Sequence, residues 1–248
     1  MKLQKLYSYV RRALNDYNMI SEGDKIAIGI SGGKDSLALL YALAGIRNFY
    51  QVKFDIIAVT IDLGWNNIGR KMDLSQIQAL CQELSVDYHI IKTDIAQIVF
   101  EERKEQNPCS LCAKMRKGAL NEAIKELGCN KVAYAHHKDD VVETMLMSLM
   151  YEGRFHTFAP VTYLDKMKVT VIRPMIYVHE SDVIGFVRRY NVPVLKSPCP
   201  VDGYTRRQYS HDIITELRKE NPGVKNRMFT AITDSNIPGW NNTDGAHY

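Results

Sequence analysis

The sequence predicts an α/β protein, a parallel sheet flanked by helices with further helices added at both ends. Three features predict it. Strand-like apolar runs alternate with helical patterns, the first run enters a glycine turn and leaves it as a helix, and no repeat, low-complexity tract or clear linker breaks the rhythm.

Residues 1–24 read as a helical extension whose mixed charges leave no signal-peptide core. Four strands are then expected in KIAIGI (Lys25 to Ile30), FDIIAVTI (Phe54 to Ile61), VDYHIIK (Val86 to Lys92) and KVAYAH (Lys131 to His136), with a short fifth in VTVIRPM (Val169 to Met175). Helices are expected from Asp35, from Lys71, from Cys109 through Leu127 with Gly128 as the stop, and over Ser181 to Tyr190. The tail from Tyr204 to Asp234 reads as two helices broken at Asn221-Pro222-Gly223 and packed beside the sheet.

A chain of 248 residues, 46% hydrophobic and 24% charged, can bury a full core. No apolar run reaches the roughly 20 residues that a membrane helix needs, and a cytoplasmic, non-membrane protein is expected. The net charge of +4 does not establish a nucleic-acid partner, but basic residues cluster at Arg11/Arg12, Lys114/Arg116/Lys117, Arg188/Arg189 and Arg206/Arg207. Five cysteines, an odd number, argue for reduced thiols rather than a disulfide framework, with some available to a metal.

Three motifs carry chemistry. In SGGKDS (Ser31 to Ser36), Gly32 and Gly33 let the backbone approach phosphate, Ser31 and Ser36 supply hydroxyls, and the following helix adds unpaired N–H groups and a positive dipole end. A Walker A loop would not place an aspartate between Lys34 and Ser36. Asp35 repels phosphate unless it holds Mg²⁺, which bridges ATP oxygens and stabilises departing pyrophosphate.

The second motif is PCSLCAKMRKG, with Cys109 and Cys112 at C-x-x-C spacing on the first turn of a helix, where the dipole favours thiolates. A thioredoxin-type dithiol would follow the first strand, and a structural zinc would want four ligands. A third reading adds Cys199 of KSPCPVDG, because three thiolates suit an iron–sulfur cluster with one open iron. Cys81 and Cys129 read as small buried hydrophobes. The third motif, AHHKDD, puts His136, His137, Asp139 and Asp140 at the carboxyl end of the fourth strand, the ligand edge of open α/β sheets. It is either a metal site of its own or a source of one carboxylate, Asp139 or Asp140, that assists Mg²⁺ or orients substrate.

SGGKDS, PCSLCAKMRKG, AHHKDD, VIRPM and the lone late SPC, in that order and spacing, resemble the tRNA 2-thiocytidine synthetase group of PP-loop ATP pyrophosphatases, as does the tail RRQYSHDIITELRKENPGVKNRMFTAI. The likeness spans nearly the whole chain. It implies a Rossmann-like PP-loop domain over residues 25–200, between the amino-terminal extension and a helical tail at 201–248. It also implies an ATP-dependent tRNA sulfurtransferase that adenylates a base carbonyl, cytidine first and uridine second. Sulfur, from sulfide or a cysteine desulfurase, then replaces the oxygen by way of a [4Fe-4S] cluster on Cys109, Cys112 and Cys199.

By the same resemblance Ile30, Ser31, Gly32, Gly33 and Ser36 cradle the ATP phosphates and Asp35 binds Mg²⁺ and pyrophosphate. Ala58 to Asp62 line the adenosine side, with His136 on the nucleotide edge, and Asp139 completes the Mg²⁺ or nucleotide shell. Arg116 stabilises charge on the activated base, Arg173 contacts phosphate or RNA, and relatives imply a homodimer. The late cysteine departs from the group's pattern: Asp202 stands where a partner cysteine would be, so Cys199 is the only late ligand. A PP-loop enzyme that adenylates without sulfur (lysidine or amide synthesis) would leave these cysteines unexplained, and a nonenzymatic RNA- or metal-binding module would consume no ATP.

Overall fold

A computed structural model describes residues 1–104, 108–201 and 206–240, the side chain of Arg206 excepted. Along the chain run α1 (Leu3–Asp16), β1 (Asp24–Gly29), α2 (Lys34–Ile46), β2 (Phe54–Asp62), α3 (Ser75–Glu83), β3 (Asp87–Lys92) and the short α4 (Ile95–Gln97). There follow α5 (Pro108–Glu126), β4 (Lys131–Ala133), α6 (Lys138–Glu152), β5 (Val161–Leu164), β6 (Val169–Ile172), α7 (Glu180–Arg189), α8 (Arg206–Glu220) and α9 (Val224–Thr233).

The strands form one sheet in the order β3-β2-β1-β4-β6-β5, parallel except for β5, which pairs antiparallel with β6 at the edge. β1 is central, with Ile28 opposite both Ala58 and Ala133. Burial on both faces explains why its sequence is apolar without alternation. Ile26 and Ile28 join the core formed with α1, α2, α3, α6 and α7, while Ala27 joins Leu120 and Ile124 of α5 on the opposite face. Ile26 and Ile28 are fully buried, each worth roughly 1.5–3 kcal/mol against exposure.

From β1 the chain builds outward to β3, then returns through α5 to lay β4 on the other side of β1. That reversal opens a crevice between the loops after β1 and β4, where open α/β sheets bind ligands. Both end segments pack into the main core: Leu6, Val10 and Leu14 from α1, Ile214 from α8, Phe229 and Ile232 from α9, and Trp240. Among the described residues no helix is long and apolar enough to cross a membrane.

Several boundaries differ from expectation. The helix expected from Lys71 begins at Ser75, after a single 3₁₀ turn at Trp65–Ile68, and the Asp73 carboxylate ahead of it accepts the Ser75 N–H at 2.9 Å. The fourth strand pairs only over Lys131–Ala133, so His136 lies beyond the sheet edge, and the fifth ends at Ile172, ahead of Pro174. No element was expected over residues 138–164, where α6 and β5 form. Buried Asp139, Glu143 and Ser148 break the apolar stripe of α6, and β5 is a short, half-exposed edge strand.

Gly64 holds the turn after β2 at φ +76°, its N–H donating to Asp62 Oδ1 at 3.0 Å, and a Cβ there would sit 2.5 Å from the Thr93 carbonyl oxygen. Gly64→Ala is expected to destabilise the fold by roughly 2–4 kcal/mol, the left-handed cost plus that of overpacking against backbone. Urea unfolding reads this as a lowered midpoint at an unchanged slope.

Candidate active site

The glycine turn after β1 is folded by its own hydroxyls. Ser36 Oγ donates to the Gly33 carbonyl at 2.9 Å and accepts the Ser31 N–H at 3.2 Å, with Ser31 Oγ 3.2 Å away. Gly33 is the extended N-cap of α2, so the first N–H groups of the helix open toward the turn without intrahelical partners. Gly32 sits at φ +80°, where glycine is at ease, and its carbonyl accepts the Leu195 N–H at 2.9 Å. Ile30 is held by β2: its N–H donates to the Val59 carbonyl at 2.8 Å and its carbonyl accepts the Thr60 hydroxyl at 3.0 Å.

The turn floors a cleft of about 480 Å³ whose lining includes Ser31, Lys34, Asp35, Thr60, Arg116 and the segment Val194–Pro198. The two oxygens of Asp35 have different surroundings. Oδ2 accepts from Lys34 Nζ at 3.0 Å, whereas Oδ1 is buried without a hydrogen-bond partner, 3.7 Å from His137 Nε2. His137 caps α6: its Nδ1 accepts the Asp140 N–H at 3.3 Å, so a neutral ring carries its proton on Nε2, toward Asp35. Lys34 also pairs with Glu180 at 3.0 Å. Burial opposes its ammonium, but Asp35 and Glu180 outweigh burial and hold its pKa above the ordinary value.

The cleft wall leads to the cysteines. Cys199 follows Pro198 directly, and the Pro198 carbonyl accepts from Arg70 Nη1 at 2.9 Å. Cys112 and Cys199 pack against one apolar shelf of Leu63, Trp65, Ile95 and Val99, with Cys109 exposed one turn before Cys112. Burial pushes the Cys112 thiol up; Arg116 opposes this, and Cys199 and Cys109 add to the rise, so the three sulfurs act on one another. The dipole argument for a thiolate at this position is thus overridden by desolvation. Among the described residues no three His, Cys, Asp or Glu side chains stand close enough to hold a metal ion. The donor set fits a thiolate-ligated cluster in chemistry, though its three thiols are not drawn together to ligand distance, and the orphaned Asp35 Oδ1 fits a divalent cation.

Other expected site residues lie elsewhere. Of the expected stretch Ala58 to Asp62, Thr60 and Ile61 line the cleft, with Leu63 just beyond it, whereas Ala58 is fully buried in the middle of β2. Asp62 spends Oδ1 on the Gly64 turn. Asp139, expected at the Mg²⁺ or nucleotide shell, is only 3% exposed and takes the Glu180 N–H at 3.0 Å and an ion pair from Lys225, tying α6 to α7 and α9. Burial works to raise its pKa, but Lys225 and the Glu180 N–H bring it below the usual value. Arg173, expected on phosphate or RNA, is buried and donates to the Ala159 carbonyl at 2.6 Å and Thr162 Oγ1 at 3.1 Å. Burial brings its pKa down to about 10. Arg188 and Arg189 close the last turn of α7, about 12 Å along the helix from Glu180 beside Lys34. Arg207 is paired to Asp140 at 2.6 Å, while the Arg206 side chain and Asp202 lie outside the described residues. Lys34, Glu180 and Leu195 were given no role beforehand, and His137 was named only as one member of AHHKDD; the local signals were the place of Lys34 inside the phosphate turn and that of His137 beyond the fourth strand.

His136 stacks on Phe158 at 4.7 Å and meets Tyr134 at 5.8 Å, outside the cleft lining. Burial lowers its pKa from 6.5 to about 4, against the pull of Asp140. The unfolded chain therefore binds a proton that the folded one refuses, and stability should fall as pH drops from 6.5 toward 4. His136→Phe keeps the ring stack, so its stability should fall less across that window. Equal slopes for both proteins in urea titrations would discount the effect.

This is a nucleotide-type cleft of a doubly wound α/β protein, with a cysteine-bearing wall. A family model described as PP-loop domain matches residues 4–216. The tRNA-cytidine(32) 2-sulfurtransferase of Geobacter sulfurreducens is 39% identical over 235 residues, 94% of this chain and 90% of the relative. That of Geobacter metallireducens is 38% identical over 236 residues, again 94% and 90%. The solved U34-tRNA thiolase NcsA from Methanococcus maripaludis, with its [4Fe-4S] cluster, superposes with a TM-score of 0.73 at 26% identity, covering 92% of this chain and 76% of that one. The chain belongs to the PP-loop family, in the group of the tRNA-cytidine(32) 2-sulfurtransferases.

Proposed function

We propose that this protein is an ATP-dependent tRNA thiolase that replaces the carbonyl oxygen of a tRNA cytidine with sulfur. The observation that carries the reading is the partnerless Asp35 Oδ1 in a phosphate-type cleft whose wall continues into Cys199. The turn from Ile30 to Ser36 and the N-terminus of α2 bind the nucleotide phosphates. Asp35 would hold Mg²⁺, whose charge would offset that of the leaving pyrophosphate. Arg116, at the junction of cleft and cysteines, faces the adenylated base and stabilises its developing charge. Cys109, Cys112 and Cys199 would hold a [4Fe-4S] cluster with one iron open, which would supply the site for the incoming sulfur.

Exposed Arg70, Lys114, Lys117 and Lys196 sit on the segments that frame the cleft and the cysteines, suited to RNA phosphates. Free sulfide or a cysteine desulfurase supplies the sulfur, and five free cysteines suit the reducing cytoplasm where tRNA is modified. The similar tRNA-cytidine(32) 2-sulfurtransferases favour that base over uridine. Mass spectrometry of tRNA nucleosides from cells with and without the protein tests this. A thiolated cytidine should vanish with the protein and return with the wild-type chain but not with Asp35→Asn or Cys199→Ala, and an unchanged nucleoside profile would refute it.

The homodimer belongs to the same reading. An apolar groove of about 540 Å³ between α6 and α9, edged by Phe155 at 77% exposure and by Leu149, is surface that a second copy would cover. Sedimentation should find a dimer that Phe155→Asp shifts toward monomer.

A further inference from the structure

Lys34 carries the cation of the phosphate turn, and its ammonium is held in part from outside that turn. Its ammonium spans Asp35 Oδ2 and Glu180 Oε1, each at 3.0 Å, and lines the cleft. A free lysine side chain loses rotamer entropy when it grips a ligand, so a lysine already held in place binds an anion at less cost. Glu180 is well fixed for that task. It is the first residue of α7, and its N–H donates to buried Asp139 at 3.0 Å, itself paired with Lys225 of α9. Its second oxygen lies 4.0 Å from His211 Nδ1 of α8, and His211 is bonded to buried Glu143 of α6 at 2.9 Å. Backbone pin and side-chain seat thus come from three helices remote in sequence from the turn.

We infer that Lys34 binds the phosphates of the nucleotide and that Glu180 is its positioning residue, holding the ammonium over the cleft from a seat built by α6, α8 and α9. This rests on the nucleotide reading of the cleft and adds to it a cation and the residue that aims it. When triphosphate enters, Lys34 turns part of its hydrogen bonding from carboxylate to phosphate oxygen, with no proton transferred. The pairing with Glu180 matters before binding, because it holds the ammonium between two carboxylates rather than leaving Asp35 as its one anchor.

A double-mutant cycle read by calorimetry with a non-hydrolysable ATP analogue and Mg²⁺ tests this in the full chain. Lys34→Met should weaken binding by roughly 10- to 100-fold, the worth of hydrogen bonds to a charged group. Glu180→Ala alone should weaken it by roughly 3- to 10-fold, the cost of ordering one long side chain. Glu180→Gln, which keeps an acceptor for Lys34, should fall between Glu180→Ala and wild type, a rescue that loss of helix packing would not produce. In the Lys34→Met background Glu180→Ala should cost nothing, or regain affinity, since an unpaired carboxylate facing phosphate has been removed. Equal losses in both backgrounds, or no loss from Glu180→Ala with Lys34 present, would overturn the positioning role while leaving the nucleotide cleft intact. Failure of the wild-type chain to bind the analogue would overturn the nucleotide reading and this inference with it.

Discussion

Asp35→Asn is expected to lower turnover by roughly 100-fold or more while the protein keeps its fold. Asparagine preserves size and can still accept from Lys34, so the packing of the turn has little reason to change. What it removes is charge on Oδ1, the buried oxygen that no protein group satisfies. A carboxylate oxygen kept in that state is a cost unless a cation completes it, and the hydroxyl-folded phosphate turn beside it makes Mg²⁺ the fitting one. The variant should therefore keep its thermal transition yet release pyrophosphate slowly under saturating RNA. AMP and pyrophosphate are the expected products with wild type. Finding ADP and phosphate, or full activity in Asp35→Asn, would remove Asp35 from the chemistry.

Cys112→Ala and Cys199→Ala are each expected to abolish iron binding and tRNA thiolation, whereas Cys81→Ala and Cys129→Ala should retain both. The contrast follows from surroundings. Cys81 is buried in the main core with its thiol pushed up to about 11 by burial alone, an inert hydrophobe. Cys112 is half-buried too, but it shares its shelf with Cys199, has Arg116 beside it and feels both other sulfurs. Iron brought among them supplies the positive charge that makes thiolates favourable in that partly dry place. Anaerobically purified wild type should carry about four irons per chain, read by visible absorption and metal analysis. Zinc without iron in wild type, or iron retained in Cys112→Ala, would overturn the assignment.

How much of this was legible in the sequence depended on range. The phosphate turn could be read because six consecutive residues hold its geometry, with glycines at the crowded positions and hydroxyls bonding back within the motif. The parallel sheet could be read because buried central strands must be apolar throughout. The burial of Cys81 and Cys129 followed from their apolar flanks. Where recognition between distant segments decides, the local pattern was silent. Nothing in AHHKDD tells that Asp139 is consumed by Lys225 and the start of α7 while Asp35 keeps a free oxygen. Nothing around Arg173 tells that it turns inward to Ala159 and Thr162 rather than outward to RNA.

The sequence by itself thus determined the fold class, the phosphate turn and the chemical kinds of group available, since these follow from backbone preference, hydrophobic period and side-chain type over short spans. Only the tertiary structure decided which of those groups remain available. Charge neutralisation acts over 3–4 Å between partners far apart in the chain, as with Lys34 and Glu180, and desolvation depends on what is packed around a group, as with His136 and Cys112.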